Sequence, residues 1–191
     1  MKRQVLTMEE TKRLRWAILG AGGIAHQMAA AFRAAGRTPD AVGNRTYEKA
    51  AAFARQYGIK KVYRDCRQMF TDPEIDIIYL ATPHNTHIAC LEQALSQGKH
   101  VLCEKAITLN SDELERAVRL ARAHHVVLAE AMTIYHMPLY RVLLQKMAGL
   151  GRVNLIQVSF GSFKEYDMSN RFFNPALAGG ALLDIGVYAL S

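Results

Sequence analysis

Residues 15–25 read Arg15-Trp16-Ala17-Ile18-Leu19-Gly20-Ala21-Gly22-Gly23-Ile24-Ala25. The run Arg15 to Leu19 is short, apolar and ends in glycine, which is the pattern of a buried strand. Ile24 to Ala35 is rich in alanine, has helical periodicity and closes at Gly36, which suits a helix C-terminus. A strand, a tight turn and a helix therefore follow one another without a break. The turn fits the spacing G-x-G-x-x-A. Gly20 permits the tight turn, Gly22 lets backbone approach a pyrophosphate, and Ala25 lets helix and strand pack closely. The helix start adds free N–H groups and a positive dipole end for an anion. In strand–turn–helix context this is a strong dinucleotide-binding signal, with Gly20, Gly22, Gly23 and Ile24 forming the cofactor cradle.

The same alternation continues along the chain. Ala41–Val42 reads as a second strand, Tyr47 to Gln56 as a helix with Thr46 at its N-cap and Gly58 at its end, and Val62–Tyr63 as a short strand. Ile75 to Ala81 is a buried strand, Thr86 to Gln97 a helix closed by Gly98, and His100 to Cys103 another strand. Ser111, followed by acidic residues, caps a helix running to His124, and Val126 to Ala129 is the next strand. These strands are continuous apolar runs, as expected when helices cover both faces of a sheet. The fold class is α/β: a Rossmann-type, doubly wound parallel sheet over residues 15–135.

The pattern changes after Pro138. Leu139 to Ala148 reads as a helix, Val153 to Phe160 alternates like a half-exposed strand, and Asn170 to Gly180 is a loop. Ala181 to Leu190 opens a further helix. Residues 136–191 are expected to be the incomplete start of an α+β substrate domain, and residues 1–14 a basic leader outside the fold.

Composition agrees with a globular chain. The sequence has 191 residues, 50% of them hydrophobic and 21% charged. No run approaches the roughly 18 apolar residues of a membrane span. The first residues have no apolar core behind Lys2 and Arg3, so they are not a secretory signal. Three cysteines, Cys66, Cys90 and Cys103, point to free thiols in a reducing cytoplasm. The net charge of +7 owes much to Lys2, Arg3, Lys12, Arg13 and Arg15. Basic and aromatic residues do not interleave in a stripe, which argues against a nucleic-acid partner.

Cofactor choice turns on the end of the second strand. An acidic residue about 20 positions after the glycines would bind the ribose hydroxyls of NAD. Here the segment is Val42-Gly43-Asn44-Arg45-Thr46, without an acid. Arg45, helped by Asn44 or Thr46, is suited to pair with a 2′-phosphate, so NADP is favoured and NAD is the second choice.

Three segments, Leu19-Gly20-Ala21-Gly22-Gly23-Ile24-Ala25, residues 100–110 (HVLCEKAITLN) and residues 178–190 (AGGALLDIGVYAL), together resemble the Gfo/Idh/MocA oxidoreductases. The last segment looks closest to members similar to dimeric dihydrodiol dehydrogenase. The family's E-K-P signature corresponds to Glu104-Lys105-Ala106, with alanine in place of proline. By resemblance Lys105 reaches the substrate hydroxyl near the nicotinamide, with Glu104 beside it. Asp184-Ile185-Gly186-Val187-Tyr188 matches the family's D-x-G-x-H/Y, which makes Tyr188 the candidate acid/base. Asp184 lies four residues from Tyr188 on one helical face. A phenol has an ordinary pKa of about 10, and a neighbouring Lys105 is expected to lower it.

Thr82-Pro83-His84-Asn85-Thr86-His87 resembles the family's T-P-x-x-x-H segment, which places Thr82, Pro83, Asn85 and His87 near the cofactor. His84, His87 and Cys90 have a spacing compatible with zinc, but the resemblance implies no metal. Glu130, Tyr135 and His136 follow the last strand of the sheet and have no assigned role. The leading expectation is hydride transfer between NADP(H) and a secondary alcohol or carbonyl of a sugar, polyol or cyclic diol. The rival is a shortened, non-catalytic dinucleotide-binding or sensor protein. Homo-oligomerisation stays open.

Overall fold

The computed structural model describes residues 13–191 except 160, 162, 169 and 171. Most of the expected leader thus lies outside the described residues. The order of elements is β1 (Trp16–Leu19), α1 (Gly23–Ala34), β2 (Ala41–Gly43), α2 (Tyr47–Tyr57), β3 (Lys61–Tyr63), α3 (Cys66–Thr71), β4 (Ile77–Leu80), a 3-10 turn (His84–Thr86), α4 (His87–Ser96), β5 (His100–Cys103), α5 (Ser111–Ala123) and β6 (Leu128–Glu130). The six strands form one parallel sheet in the order β3-β2-β1-β4-β5-β6. The order reverses between β1 and β4, and ligands of such sheets bind at the carboxyl ends of the strands beside that point.

Successive strand residues face opposite sides of the sheet, and here both sides are apolar. Ala17 and Leu19 of β1 and Ile78 and Leu80 of β4 pack with Met69, Phe70, Leu91, Leu95, Ala117 and Ala121, under α3, α4 and α5. Ile18, Val42 and Tyr79 pack with Ala25, Ala29, Ala50 and Phe53, under α1 and α2. Ala25 and Ala29 are essentially fully buried, so the small side chains of α1 are what let it lie close on the sheet.

Three expectations need correction. The helix expected to be capped by Ser111 is capped by Asn110, whose side chain accepts a hydrogen bond from Glu113 N–H at 2.9 Å. The strand expected at Val126 to Ala129 sits later, at Leu128–Glu130. The exit from α5 consumes the residues between: His125 has φ +55, Val126 N–H bonds back to Ala121, and Val127 N–H is taken by the His100 ring at 2.9 Å. The strand expected at Val153 to Phe160 is not formed over residues 153–159, and Phe160 lies outside the described residues. Leu155 and Ile156 are 82% and 66% exposed. An alternating sequence becomes a strand only when a neighbour takes its ladder hydrogen bonds, and 153–159 pair with none among the described residues.

Beyond the sheet, a 3-10 turn (Thr133–His136) leads into α6 (Pro138–Met147). Pro175–Leu177 forms another 3-10 turn inside the expected loop. The last helix is a π-turn over Leu182–Gly186 that continues as α7 (Val187–Leu190). No helix among the described residues is long and apolar enough to cross a membrane.

Candidate active site and cofactor cleft

The glycine turn sits at the carboxyl end of β1. Gly20 has φ +115, and a Cβ there would lie 2.3 Å from the Ala81 carbonyl oxygen. Only glycine fits, on both backbone and steric grounds. Gly22 and Gly23 differ: a Cβ at either would meet nothing within 4 Å, and both residues are exposed with Ile24. Gly22 caps α1 without a side-chain bond, and the first turn of α1 carries no acidic residue. The helix start thus offers uncapped N–H groups over open space with no carboxylate of its own, which fits a bound pyrophosphate.

At the end of β2, Asn44 donates from Nδ2 to Thr46 O at 3.0 Å, and Arg45 is exposed. Thr46 occupies the N-cap position of α2 but makes no capping bond with its side chain.

Across the switch point, the loop after β4 is fastened to the end of β5 by two histidines. His84 Nε2 lies 2.9 Å from Lys105 O, and His87 Nδ1 lies 2.9 Å from Ala106 O. His87 Nε2 also lies 2.9 Å from Thr82 O, and its side chain is fully buried. Both ring nitrogens of His87 face backbone carbonyls, one of them through the single N–H of the neutral ring, so the ring braces the loop. Burial pushes His87 below its ordinary pKa, against the raising pull of the carbonyls it faces. Thr82 accepts from the Thr86 hydroxyl at 2.8 Å, Pro83 is exposed, and Asn85 reaches Ala176 O at 3.1 Å. The Lys105–Ala106 peptide is cis although residue 106 is alanine. Among the described residues no three of His, Cys, Asp and Glu gather as metal ligands.

Lys105 leaves the end of β5 and meets the last helix. Its Nζ lies 3.3 Å from Asp184 Oδ1, also donates to Asp184 O, and sits 4.8 Å from the centre of the Tyr188 ring. The Lys105 and Asp184 side chains are only 12% and 19% exposed. The three residues singled out in the sequence therefore come together. The electrostatics differ from expectation. The Lys105 ammonium stands over the Tyr188 ring, a cation–π arrangement. Burial raises the Tyr188 pKa, the charge of Glu104 raises it further, and a hydrogen bond with Thr133 opposes them. The expected lowering by Lys105 is thus corrected to a raised value.

Two features were not read from the sequence. Glu104 is buried and accepts from the Tyr79 hydroxyl of β4; burial and that carboxylate together raise the Tyr79 pKa. Thr133, Ile134, Met137, Val158, Tyr188 and Ala189 line a cavity of about 420 Å³ against the Tyr188 ring. Glu130 accepts from Ile107 N–H at 2.9 Å and supports the loop after Lys105.

Residues 14–132 match the oxidoreductase family with an NAD-binding Rossmann fold, the Gfo/Idh/MocA group. The chain belongs to this family. Among its Gfo/Idh/MocA relatives, a trans-1,2-dihydrobenzene-1,2-diol dehydrogenase of Xenopus tropicalis is 34% identical over 182 residues, covering 92% of this chain and 54% of the relative. The Homo sapiens protein of the same name is 33% identical over 182 residues, with 93% and 54% covered. The chain thus spans about half the length of these relatives. Among solved structures, a 3-ketoreductase from Actinomadura kijaniata in complex with NADP and TDP-benzene superposes with a TM-score of 0.79 at 25% identity, covering 93% of this chain and 55% of that one.

Proposed function

We propose that the chain carries the cofactor cleft and the proton-handling residues of an NADP(H)-dependent dehydrogenase or reductase. Its substrate class would be a secondary alcohol or the matching carbonyl of a sugar, polyol or cyclic diol, with NAD as the second-choice cofactor. The observation that carries this reading is the convergence of Lys105, Asp184 and Tyr188 at the carboxyl edge of the sheet. The dehydrogenases of diols among its relatives and the NADP-bound 3-ketoreductase support it.

When bound, the nicotinamide would supply the hydride donor or acceptor. The chain's residues supply the rest. Gly22, Gly23 and the start of α1 receive the pyrophosphate, and Arg45 with Asn44 receives the 2′-phosphate. Thr82, Pro83 and the neighbourhood of Asn85 wall the cleft, with His87 and Glu104 fixing the loops behind it. Tyr188, with its pKa raised, holds its proton on Oη at neutral pH. It therefore gives that proton to a carbonyl oxygen during reduction and must lose it before it can act as base during oxidation. Lys105 fixes the ring and presents an ammonium to the same oxygen, and Asp184 holds Lys105 in place. The largely apolar cavity beside Tyr188 suits the hydrocarbon face of a cyclic diol or its ketone.

We further propose a domain division near residue 135, a cytoplasmic setting on the strength of the free thiols, and self-association through the exposed leucines of α6. The test is turnover of NADPH or NADP with a panel of cyclic diols, polyols, sugars and their ketones. Tyr188→Phe and Lys105→Ala are each expected to lose at least about a hundredfold. Wild-type binding of the cofactor with no turnover on any substrate would favour the non-catalytic binder instead.

A further inference from the structure

Strands β2 and β3 run parallel, with Gly43 opposite Tyr63, so the chain leaves both at the same edge of the sheet. The residues that follow are Asn44-Arg45-Thr46 on one strand and Arg64 on the other. The two arginines thus leave neighbouring strand ends. Arg64 is exposed, and its Cζ lies 4.0 Å from the centre of the Tyr47 ring, the first residue of α2.

This stack has a chemical consequence. A guanidinium held by a carboxylate is neutralised, and its donors are occupied. A guanidinium held over an aromatic face keeps its whole charge, and its N–H groups stay available to an anion. No ion pair involves Arg64 or Arg45 among the described residues; the adjacent Asp65 is engaged by Arg67 at 3.0 Å. The α2 start beside them lacks a side-chain capping bond from Thr46. Two arginines outside any ion pair among the described residues and an uncapped start of an 11-residue helix, whose first turn also carries Glu48, form one anion-receiving corner.

We infer that Arg64 is a second determinant of cofactor choice, binding the 2′-phosphate together with Arg45, and that Tyr47 is the positioning residue that holds Arg64 for it. The inference rests on the NADP reading above and adds to it a residue and a mechanism of orientation.

The test is a nicotinamide-fluorescence titration of the chain with NADPH and NADH, with 2′-AMP and 5′-AMP as competitors. Arg64→Ala is expected to weaken NADPH and 2′-AMP about tenfold while leaving NADH and 5′-AMP unchanged. Tyr47→Leu, which keeps the charge but frees it, should lose part of the same preference, and Tyr47→Phe should keep it. A wild-type chain that prefers NADPH while Arg64→Ala retains the full preference would overturn the inference and leave the NADP reading standing. An equal loss for both cofactors in Arg64→Ala would also overturn it, since the effect would then be structural. A wild-type chain that binds NADH as well as NADPH, or neither, would overturn the NADP reading and the inference with it.

Discussion

The Nζ of Lys105 lies 3.3 Å from Oδ1 of Asp184, a residue 79 positions further along the chain. This contact ties the last turn before α7 to the end of β5, so the Rossmann sheet and the C-terminal helix meet at the proposed site. Both side chains are largely shielded from water, which strengthens the pairing relative to a surface ion pair. Asp184→Asn keeps the shape and removes the charge. It is expected to lower kcat with little change in KM for cofactor, because Lys105 loses its anchor while the glycine turn is untouched. A steady-state comparison that found only KM changed would contradict this role.

The two glycines of the turn separate folding from binding. Gly20→Ala places a methyl group 2.3 Å from the Ala81 carbonyl oxygen at a φ that favours glycine, so it is expected to lower the melting temperature or prevent folding. Gly22→Ala meets nothing within 4 Å. It should fold with near-normal stability and lose dinucleotide affinity, because its methyl group occupies the space left for the pyrophosphate. Thermal unfolding and cofactor titration on the two variants decide the matter.

If Tyr188 is the proposed acid/base, it sets the pH dependence. Its pKa is raised by burial first and by the Glu104 charge second, so the phenol stays protonated through and beyond the ordinary tyrosine value of about 10. Carbonyl reduction, which needs a proton donor, is expected to hold its kcat across the neutral range and to fall only above that value. Alcohol oxidation, which needs the phenolate, is expected to rise with pH throughout. A reduction rate that already falls between about pH 6 and pH 8 would place the proton on another group.

Much of the sheet was legible because each strand announces itself. His100–Cys103 is bounded by Gly98 and by the charged Glu104-Lys105, and the structure places β5 over the same four residues. The short helix Cys66–Thr71 was not legible, since six residues show barely two turns of periodicity; its signal was Asp65, whose side chain accepts from Arg67 N–H at 2.9 Å. The meeting of Lys105, Asp184 and Tyr188 was legible from motif order. The site was not legible where partners meet across the sheet. Tyr79 and Glu104 become neighbours only because β4 and β5 pair in a fixed register, and Thr133 reaches Tyr188 only through the fold of the last helix. The direction of the Tyr188 shift went astray because the sequence brings Lys105 near but shows neither the burial of the phenol nor the Glu104 charge, which together raise the pKa.

At the opposite edge of the sheet, Asp72 governs behaviour in acid. Burial works to raise its pKa, but hydrogen bonds from Lys61 and Tyr63 and from Glu74 N–H at 2.8 Å prevail and hold it at about 2. A carboxylate whose folded pKa is depressed stabilises the fold above its unfolded value and loses that contribution as pH falls through the folded one. Unfolding titrations should therefore show a stability loss between about pH 4 and pH 2 that is smaller in Asp72→Asn. That variant should also be less stable at neutral pH, since Lys61 loses its ion-pair partner and Tyr63 donates to a neutral amide oxygen in place of a carboxylate. An acid transition identical in both proteins would assign the loss to other carboxylates.

In the proposed reaction this cleft moves a hydride between a nicotinamide and a carbinol carbon under the control of Tyr188. The direct measurement uses NADPH deuterated at the transferring position of the nicotinamide, with a cyclic ketone or keto-sugar panel and mass analysis of the alcohol formed. The account requires deuterium on the carbinol carbon with the wild-type chain and its near-complete loss with Tyr188→Phe, while NADPH affinity stays the same. Tight NADPH binding without deuterium in any product, or equal transfer by Tyr188→Phe, would contradict it.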